Sequence, residues 1–169
     1  EELADIIYYY GDERNSRRIA REIETYRKSK KIETTLELAE IVKKCFSTKY
    51  FKKHPATKTF QALRMVVNSE LEELSKGLKH AFECLSVGGR LVVVSFHSLE
   101  DRIVKSFFNE LCGKGISLPR RMPVQEDKIV PKANLIAGPI RPSQKEISEN
   151  PRSRSAIMRV VEKTFSADL

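Results

Sequence analysis

The chain of 169 residues has no glycine-rich loop of the kind that cradles a phosphate or a nucleotide. Its glycines are scattered, and the pairs Gly88-Gly89 and Gly113–Gly115 stand apart from any such pattern. There is also no initiator methionine, and Glu1 already lies inside an apparent helical pattern. We therefore expect the chain to be the latter part of a longer protein and to contain no cofactor-binding residues of its own.

Long apolar runs and clustered metal ligands are missing too. No run approaches the length of a membrane span, and the N-terminus lacks the apolar core of a signal peptide, which predicts a cytoplasmic protein with no membrane partner. The cysteines are odd in number and far apart, so we expect them to be reduced and mostly buried. The histidines are equally scattered, and no metal site is predicted. These residues are Cys45, Cys84, Cys112, His54, His80 and His97.

Acidic residues are outnumbered by basic ones, 23 to 31, which gives a net charge of +8. A balance this basic favours a polyanionic partner, with nucleic acid ahead of membrane. A solvated basic surface without such a partner is the alternative, and charge does not reject it. Hydrophobic residues make up 40% of the chain, which is enough for a folded core.

The most informative stretch runs from residue 88 to 111. Leu91 to Phe96 is an apolar run of the length expected for a strand covered on both faces, and a helical pattern follows it. Polar residues gather where this strand ends, and ligands bind at that edge of an open α/β sheet. We expect Ser95, His97 and Asp101 to line a crevice there, with His97 as an orienting group or a proton acceptor.

Two simpler interpretations compete for these residues. Ser98 and Asp101 have the spacing of a helix capping box, which explains Asp101 without chemistry and leaves His97 unexplained. A serine hydrolase is disfavoured because a nucleophile elbow places glycine on both sides of the serine, whereas Ser95 lies between Val94 and Phe96.

Residues 1–53 are predicted to form three charged helices. Asp12 is expected to cap the second helix, and Thr34 with Glu37 forms a capping box for the third. Four arginines at helical spacing are predicted to form one ridge, as either a solvated face paired with nearby glutamates or a surface that contacts phosphates. They are Arg14, Arg17, Arg18 and Arg21.

Pro55 marks a bend, and Lys58 to Leu85 is predicted to be one long amphipathic helix or a broken pair. Residues 113–133 are predicted to form a surface loop. Two late strands, residues 134–140 and 155–163, are separated by a short helix capped by Ser143, and we expect them to add antiparallel strands at a sheet edge. Three strands are too few to enclose a cofactor.

Four runs together resemble the MraW or RsmH family of bacterial small-subunit ribosomal RNA cytosine methyltransferases. They are YGDERNSRRIAREI, HPATKTFQALRMVVNSELEEL, GGRLVVVSFHSLEDRIVKSFF and PIRPSQKEISENPRSRSAIMRVVEK, and they cover nearly the whole chain in order. The resemblance implies an S-adenosylmethionine-dependent enzyme that methylates the exocyclic amine of a cytidine in ribosomal RNA.

The resemblance also implies an architecture, an α/β Rossmann-like (class I) methyltransferase domain that is only partial in this chain and carries a helical insertion domain. Residues 1–56 would belong to the insertion and contact RNA, and residues 57–169 would be the last part of the catalytic domain. The family's cofactor-binding part has no counterpart in this chain, so binding of S-adenosylmethionine is expected to need upstream residues. Candidates for contact with the RNA backbone are Arg14, Arg17, Arg18, Lys52, Lys53, Lys58 and Arg64.

A non-catalytic helical RNA-binding module is the rival hypothesis, and a purely structural remnant is a third. If the chain folds alone, a sheet without its central strands leaves an uncovered edge, so we also predict self-association into a possible homodimer.

Overall fold

The computed structural model describes residues 1–47, 54–114 and 131–164. It divides the chain into two compact units, Glu1–Glu70 and Leu71–Leu169. The predicted loop at residues 113–133 lies for the most part outside the described residues. None of the helices in the three described ranges is long and apolar enough to cross a membrane.

Among the residues that the structure describes, the first unit contains four helices. They are α1 (Glu2–Gly11), α2 (Ser16–Ser29), α3 (Thr35–Lys44) and α4 (Thr57–Val67). Apolar residues at helical spacing form one core between them, with Ile7, Ile19 and Val42 fully buried. This confirms the three helices predicted within residues 1–53.

The connection between α1 and α2 differs from its prediction. Asp12 does not cap α2, because that helix begins at Ser16 after Asn15, and Asp12 instead ends α1 with a φ of 49°. Gly11 lies against α4, where a side chain would come within 2.6 Å of the carbonyl oxygen of Lys58. The close approach of α1 to α4 therefore requires glycine at this position.

Lys58 to Leu85 forms the broken pair rather than one helix. Helix α4 ends at Val67, and α5 (Glu70–Glu83) begins after Ser69, which has a φ of 50°. The first unit thus extends past residue 56, where the sequence places a boundary, because α4 packs on α1 and the unit ends at Glu70.

The second unit contains a three-stranded antiparallel sheet of β1 (Arg90–Ser95), β2 (Ala133–Ile140) and β3 (Ile157–Lys163). The strand order is β1-β3-β2, so the last strand in the chain lies in the middle. Helix α6 (Ser98–Leu111) follows β1, while α7 (Gln144–Glu149) and a 3₁₀-helix (Pro151–Ser155) connect β2 to β3. Both late strands and their antiparallel pairing are confirmed.

One face of this sheet is covered. Leu78 and Phe82 of α5 and Phe108 of α6 pack against Val161 in a second core. Lys163 links β3 to the end of α5. Its ammonium donates hydrogen bonds to the carbonyl groups of Phe82, Glu83 and Leu85, at 3.3, 3.2 and 2.7 Å. The ammonium thereby supplies hydrogen-bond donors to carbonyl groups at and just beyond the C-terminal end of α5.

The prediction that β1 is covered on both faces is wrong for this chain. Val92 and Val94, which alternate with the buried face, are 53% and 48% exposed, and Phe96 just beyond the strand is 56% exposed. An apolar run of this length does not reveal by itself how many of its faces the chain covers. The prediction for cysteine is only partly correct, because Cys45 is buried whereas Cys84 is exposed.

Candidate functional site

His97 links strand β1 to helix α6. Its Nδ1 accepts a hydrogen bond from the backbone N–H of Leu99 at 3.3 Å, and the carboxylate of Glu100 accepts from the N–H groups of Phe96 and His97 at 2.9 and 3.1 Å. These contacts form a capping box between His97 and Glu100. The capping box predicted for Ser98 and Asp101 is therefore wrong, because the helix begins one residue earlier than that pattern assumes.

The hydrogen bond to Nδ1 constrains the chemistry of the imidazole. A neutral ring that accepts at Nδ1 carries its proton on Nε2, so it can donate from that atom. Protonating Nδ1 would remove the acceptor that caps α6. The cap is compatible with an orienting role for His97 through Nε2, and both roles that the sequence left open, orienting group and proton acceptor, stay predictions.

Ser95 lies at the end of β1 and is only 4% exposed. Its hydroxyl donates to the carbonyl oxygen of Ile157 at 3.3 Å, so it ties β1 to the beginning of β3. Ser95, His97 and Asp101 do lie at the same end of the second unit, but the hydroxyl of Ser95 is buried within it.

Asp101 is held by an arginine that the sequence did not identify as part of the site. Arg159 of β3 donates from Nε and from a terminal nitrogen to the two carboxylate oxygens of Asp101, at 2.7 and 2.9 Å. The side chain of Asp101 is only 16% exposed, and that of Arg159 only 11%. The hydrogen bonds from Arg159 lower the pKa of Asp101, and the charges of Arg159, Arg141 and Lys105 lower it further against the opposing effect of burial. Asp101 is thus a fixed carboxylate.

The candidate RNA-contacting arginines lie on the first unit. Arg17 and Arg18 are in α2, whereas Arg14 precedes the helix, so the predicted ridge of four arginines is shorter than its spacing indicated. All three are exposed, and none forms an ion pair within the part of the chain that the structure describes. The interpretation as a paired, solvated face loses its support, because Glu13 is buried and its carboxylate instead accepts from the N–H of Asn15.

Two other candidates have partners within the protein. Lys58 donates from Nζ to the carbonyl oxygen of Asp12 at 2.6 Å. Arg64 makes two hydrogen bonds to the carboxylate of Glu70, at 2.7 and 2.9 Å, across the turn between α4 and α5. Arg64 therefore has a structural role in that turn. Lys52 and Lys53 lie outside the described residues.

The model of the MraW methylase family matches residues 1–164. The chain belongs to this family. A protein of Marinomonas sp. named ribosomal RNA small subunit methyltransferase H is 48% identical over 163 residues, which cover 96% of this chain and 52% of the relative. Proteins with the same name from Neorickettsia sennetsu and Methylobacterium nodulans are 52% and 50% identical, over 95% and 96% of this chain and 49% of each relative.

This MraW family chain spans about half the length of the curated relatives that it matches. The structure describes one turn that leads directly from a strand into an α-helix of more than two turns, formed by Phe96 and His97 between β1 and α6. Both N–H groups of this turn are bound by Glu100. The turn therefore offers neither N–H group to an anion such as a phosphate or a carboxylate.

Sequence reasoning missed Glu100 and Arg159. Glu100 had a signal, since it stands three residues after His97, but histidine is an unusual N-cap and Ser98 drew the assignment. Arg159 had no local signal. It is 58 residues from Asp101, and their pairing depends on how β3 lies beside α6.

Proposed function

We propose that this chain is part of an S-adenosylmethionine-dependent methyltransferase that modifies small-subunit ribosomal RNA at the exocyclic amine of a cytidine. The observation that carries the proposal is the family match over residues 1–164, together with relatives at 45–52% identity that are named ribosomal RNA small subunit methyltransferase H. The match continues through β3, beyond the helices of the first unit. For this reason a helical RNA-binding module that works without the second unit is not favoured.

The proposed architecture is a partial Rossmann-like domain. The order β1-β3-β2, with the last strand antiparallel between two parallel strands, supports an assignment to the end of such a sheet. Although α4 packs with them in the first unit, we assign the helices of residues 1–56 to an insertion that contacts RNA. We also propose that the protein acts in the cytoplasm on small-subunit ribosomal RNA.

The residues at the end of β1 are proposed to orient the target base. An exocyclic amine is a poor nucleophile because its lone pair is delocalised into the ring, so positioning supplies much of the rate gain. A protonated Nε2 on His97 can donate to an acceptor on the cytosine ring. Asp101 and Ser95 act by holding α6 and β1 in place around it. Reaching the amine also requires that the base leave its stack.

The proposal is tested with a chimera that joins the N-terminal half of the Marinomonas relative to this chain. We expect the chimera to transfer methyl groups from S-adenosylmethionine to small-subunit ribosomal RNA. The chain alone is expected to bind no S-adenosylmethionine in isothermal titration, because we assign the cofactor site to the half of the relatives that this chain does not span. The intact relative is the positive control.

Two outcomes would contradict the proposal. A chimera that folds and binds S-adenosylmethionine, yet leaves the RNA unmethylated, would show that this chain does not supply the missing function. Binding of S-adenosylmethionine by the chain alone at micromolar strength would show that the cofactor site was assigned to the wrong half.

A further inference from the structure

Three cations converge on one carboxylate beside the candidate site. Asp101 is paired with Arg159, and Lys105 lies one turn further along α6 on the same face as Asp101. Arg141 directly follows β2, whose last residue Ile140 is in register with Met158, the neighbour of Arg159. The electrostatic effects of Lys105 and Arg141 on Asp101 agree with this placement.

The two carboxylates at the start of α6 have partners other than Lys105 and Arg141. Asp101 uses both oxygens on Arg159, and Glu100 accepts from two backbone N–H groups at the start of α6. Lys105 and Arg141 are exposed, and neither makes a hydrogen bond or a close ion pair among the residues that the structure describes. Lys105 and Arg141 therefore present two positive charges to solvent.

We propose that Lys105 and Arg141 form a phosphate-binding subsite for the RNA strand that enters the site at His97. The inference rests on the proposed function, and it adds RNA contacts on the second unit to those predicted on the first. Helix α6 carries both features, with His97 capping its N-terminus and Lys105 two turns further on. In this proposal, the backbone of a strand whose base is held at His97 runs along α6 towards these two cations.

The chemistry of the pair fits a phosphodiester. Arginine binds phosphate oxygens through two parallel hydrogen bonds, and lysine acts as a compact point charge. Phosphate contacts fix the register of a nucleic acid without reading its sequence. The subsite would therefore position the strand, and the choice of base would be made elsewhere.

Arg159 differs from Lys105 and Arg141 because its guanidinium is already paired and its stem packs on β2. Its guanidinium is held by Asp101, and its aliphatic stem packs on Gly138, where a side chain would come within 3.0 Å of the Cγ atom of Arg159. Gly138 has a φ of 136°, a conformation that other residues rarely adopt. The glycine thus lets β2 lie close to Arg159 just before the chain reaches Arg141.

The experiment measures binding of a short fluorescein-labelled single-stranded RNA by fluorescence anisotropy, from about 50 to 200 mM salt. It compares the 169-residue chain with the double variant Lys105→Gln/Arg141→Gln. The matched control is Lys79→Gln/Lys132→Gln, which removes the same charge from two residues that line a cavity with Lys163, at the opposite end of β3. Thermal unfolding of each variant checks that the fold is intact.

We expect the Lys105/Arg141 double variant to weaken RNA binding roughly tenfold and to reduce the slope of log affinity against log salt by about 1.4, the value for two phosphate contacts with a single strand. The control is expected to change affinity by less than about twofold. Equal losses in the two double variants would overturn the subsite and leave the proposed function standing. No RNA binding by the wild-type chain would overturn the subsite together with the RNA contacts proposed above.

Discussion

His97 combines a structural role with a proposed functional one, and a single substitution to alanine would confuse them. Its ring caps α6 through the N–H of Leu99, and the same ring is proposed to orient the target base. Asparagine is among the strongest N-caps, and its side-chain oxygen can replace the acceptor at Nδ1. The two roles can therefore be separated by comparing alanine with asparagine at this position.

We predict that His97→Ala lowers the free energy of unfolding by about 1 kcal/mol and that His97→Asn largely restores it. In the chimera, both variants are expected to lower kcat for methyl transfer, because neither side chain presents the donor at the position of Nε2. Chemical denaturation and single-turnover kinetics make the two measurements. Ser98→Ala, at an exposed neighbour, serves as the control. If His97→Asn had the kcat of the wild type, His97 would act only as the N-cap of α6 and would not orient the base.

The ion pair between Asp101 and Arg159 joins two elements, helix α6 and strand β3. It is bidentate and mostly buried, so solvent screens it less than the exposed pairs on the helices. The pKa of Asp101 is lowered in the folded protein, which means that the pair stabilises the fold above the pKa of an unfolded aspartate, 3.8. That stabilisation is lost as pH falls through the lower pKa of the folded state.

Asp101→Asn is therefore expected to lower the free energy of unfolding by about 2 kcal/mol at pH 7. Its unfolding free energy should also fall less steeply than that of the wild type as the solution is acidified below pH 3.8. The reason is that asparagine has no carboxylate to take up a proton at this position. Urea denaturation at several pH values gives both results. The control is Glu73→Gln, which removes a carboxylate from the exposed pair with Lys76. Identical pH profiles for Asp101→Asn and the wild type would contradict the linkage.

Elements with a local signal could be predicted from the sequence, and contacts between distant elements could not. The capping box of Thr34 and Glu37 is present as expected, since all its partners lie within four residues. The same holds for Ser143, which accepts from the N–H of Glu146. By contrast, the partner of Asp101 depends on the register of β3, and the exposure of Val92 depends on which elements pack on each face of the sheet.

At the candidate site, too, some features could be predicted from the sequence and others could not. The position of His97 at the end of a strand could be predicted from the apolar run before it. Its role as N-cap could not, because a shift of one residue in the helix start exchanges the pair Ser98 and Asp101 for His97 and Glu100. Helix ends are the part of a local pattern that sequence defines least sharply.

At the scale of the whole molecule, the sheet of the second unit has two different edges. Strand β2 is interrupted by register shifts around Ala137 and contains Pro139, which lacks an N–H donor. Strand β1 pairs with β3 in unbroken register over six residues, and its other edge pairs with no strand that the structure describes. A regular, apolar edge is a template for another strand, so β1 is the edge expected to associate.

We predict that the chain alone self-associates through β1 and that Val92→Lys shifts it toward the monomer, because a charge on an edge strand opposes pairing. Multi-angle light scattering over a range of concentrations measures the state. Leu36→Lys is the matched control, since Leu36 is an apolar residue of α3 that is 77% exposed and belongs to the first unit rather than to the sheet. The chimera is expected to be monomeric, because the proposed Rossmann-like sheet would continue from the same edge. A wild-type chain that stays monomeric at high concentration would contradict this role of β1, whereas a dimeric chimera would indicate that the joined half does not cover it.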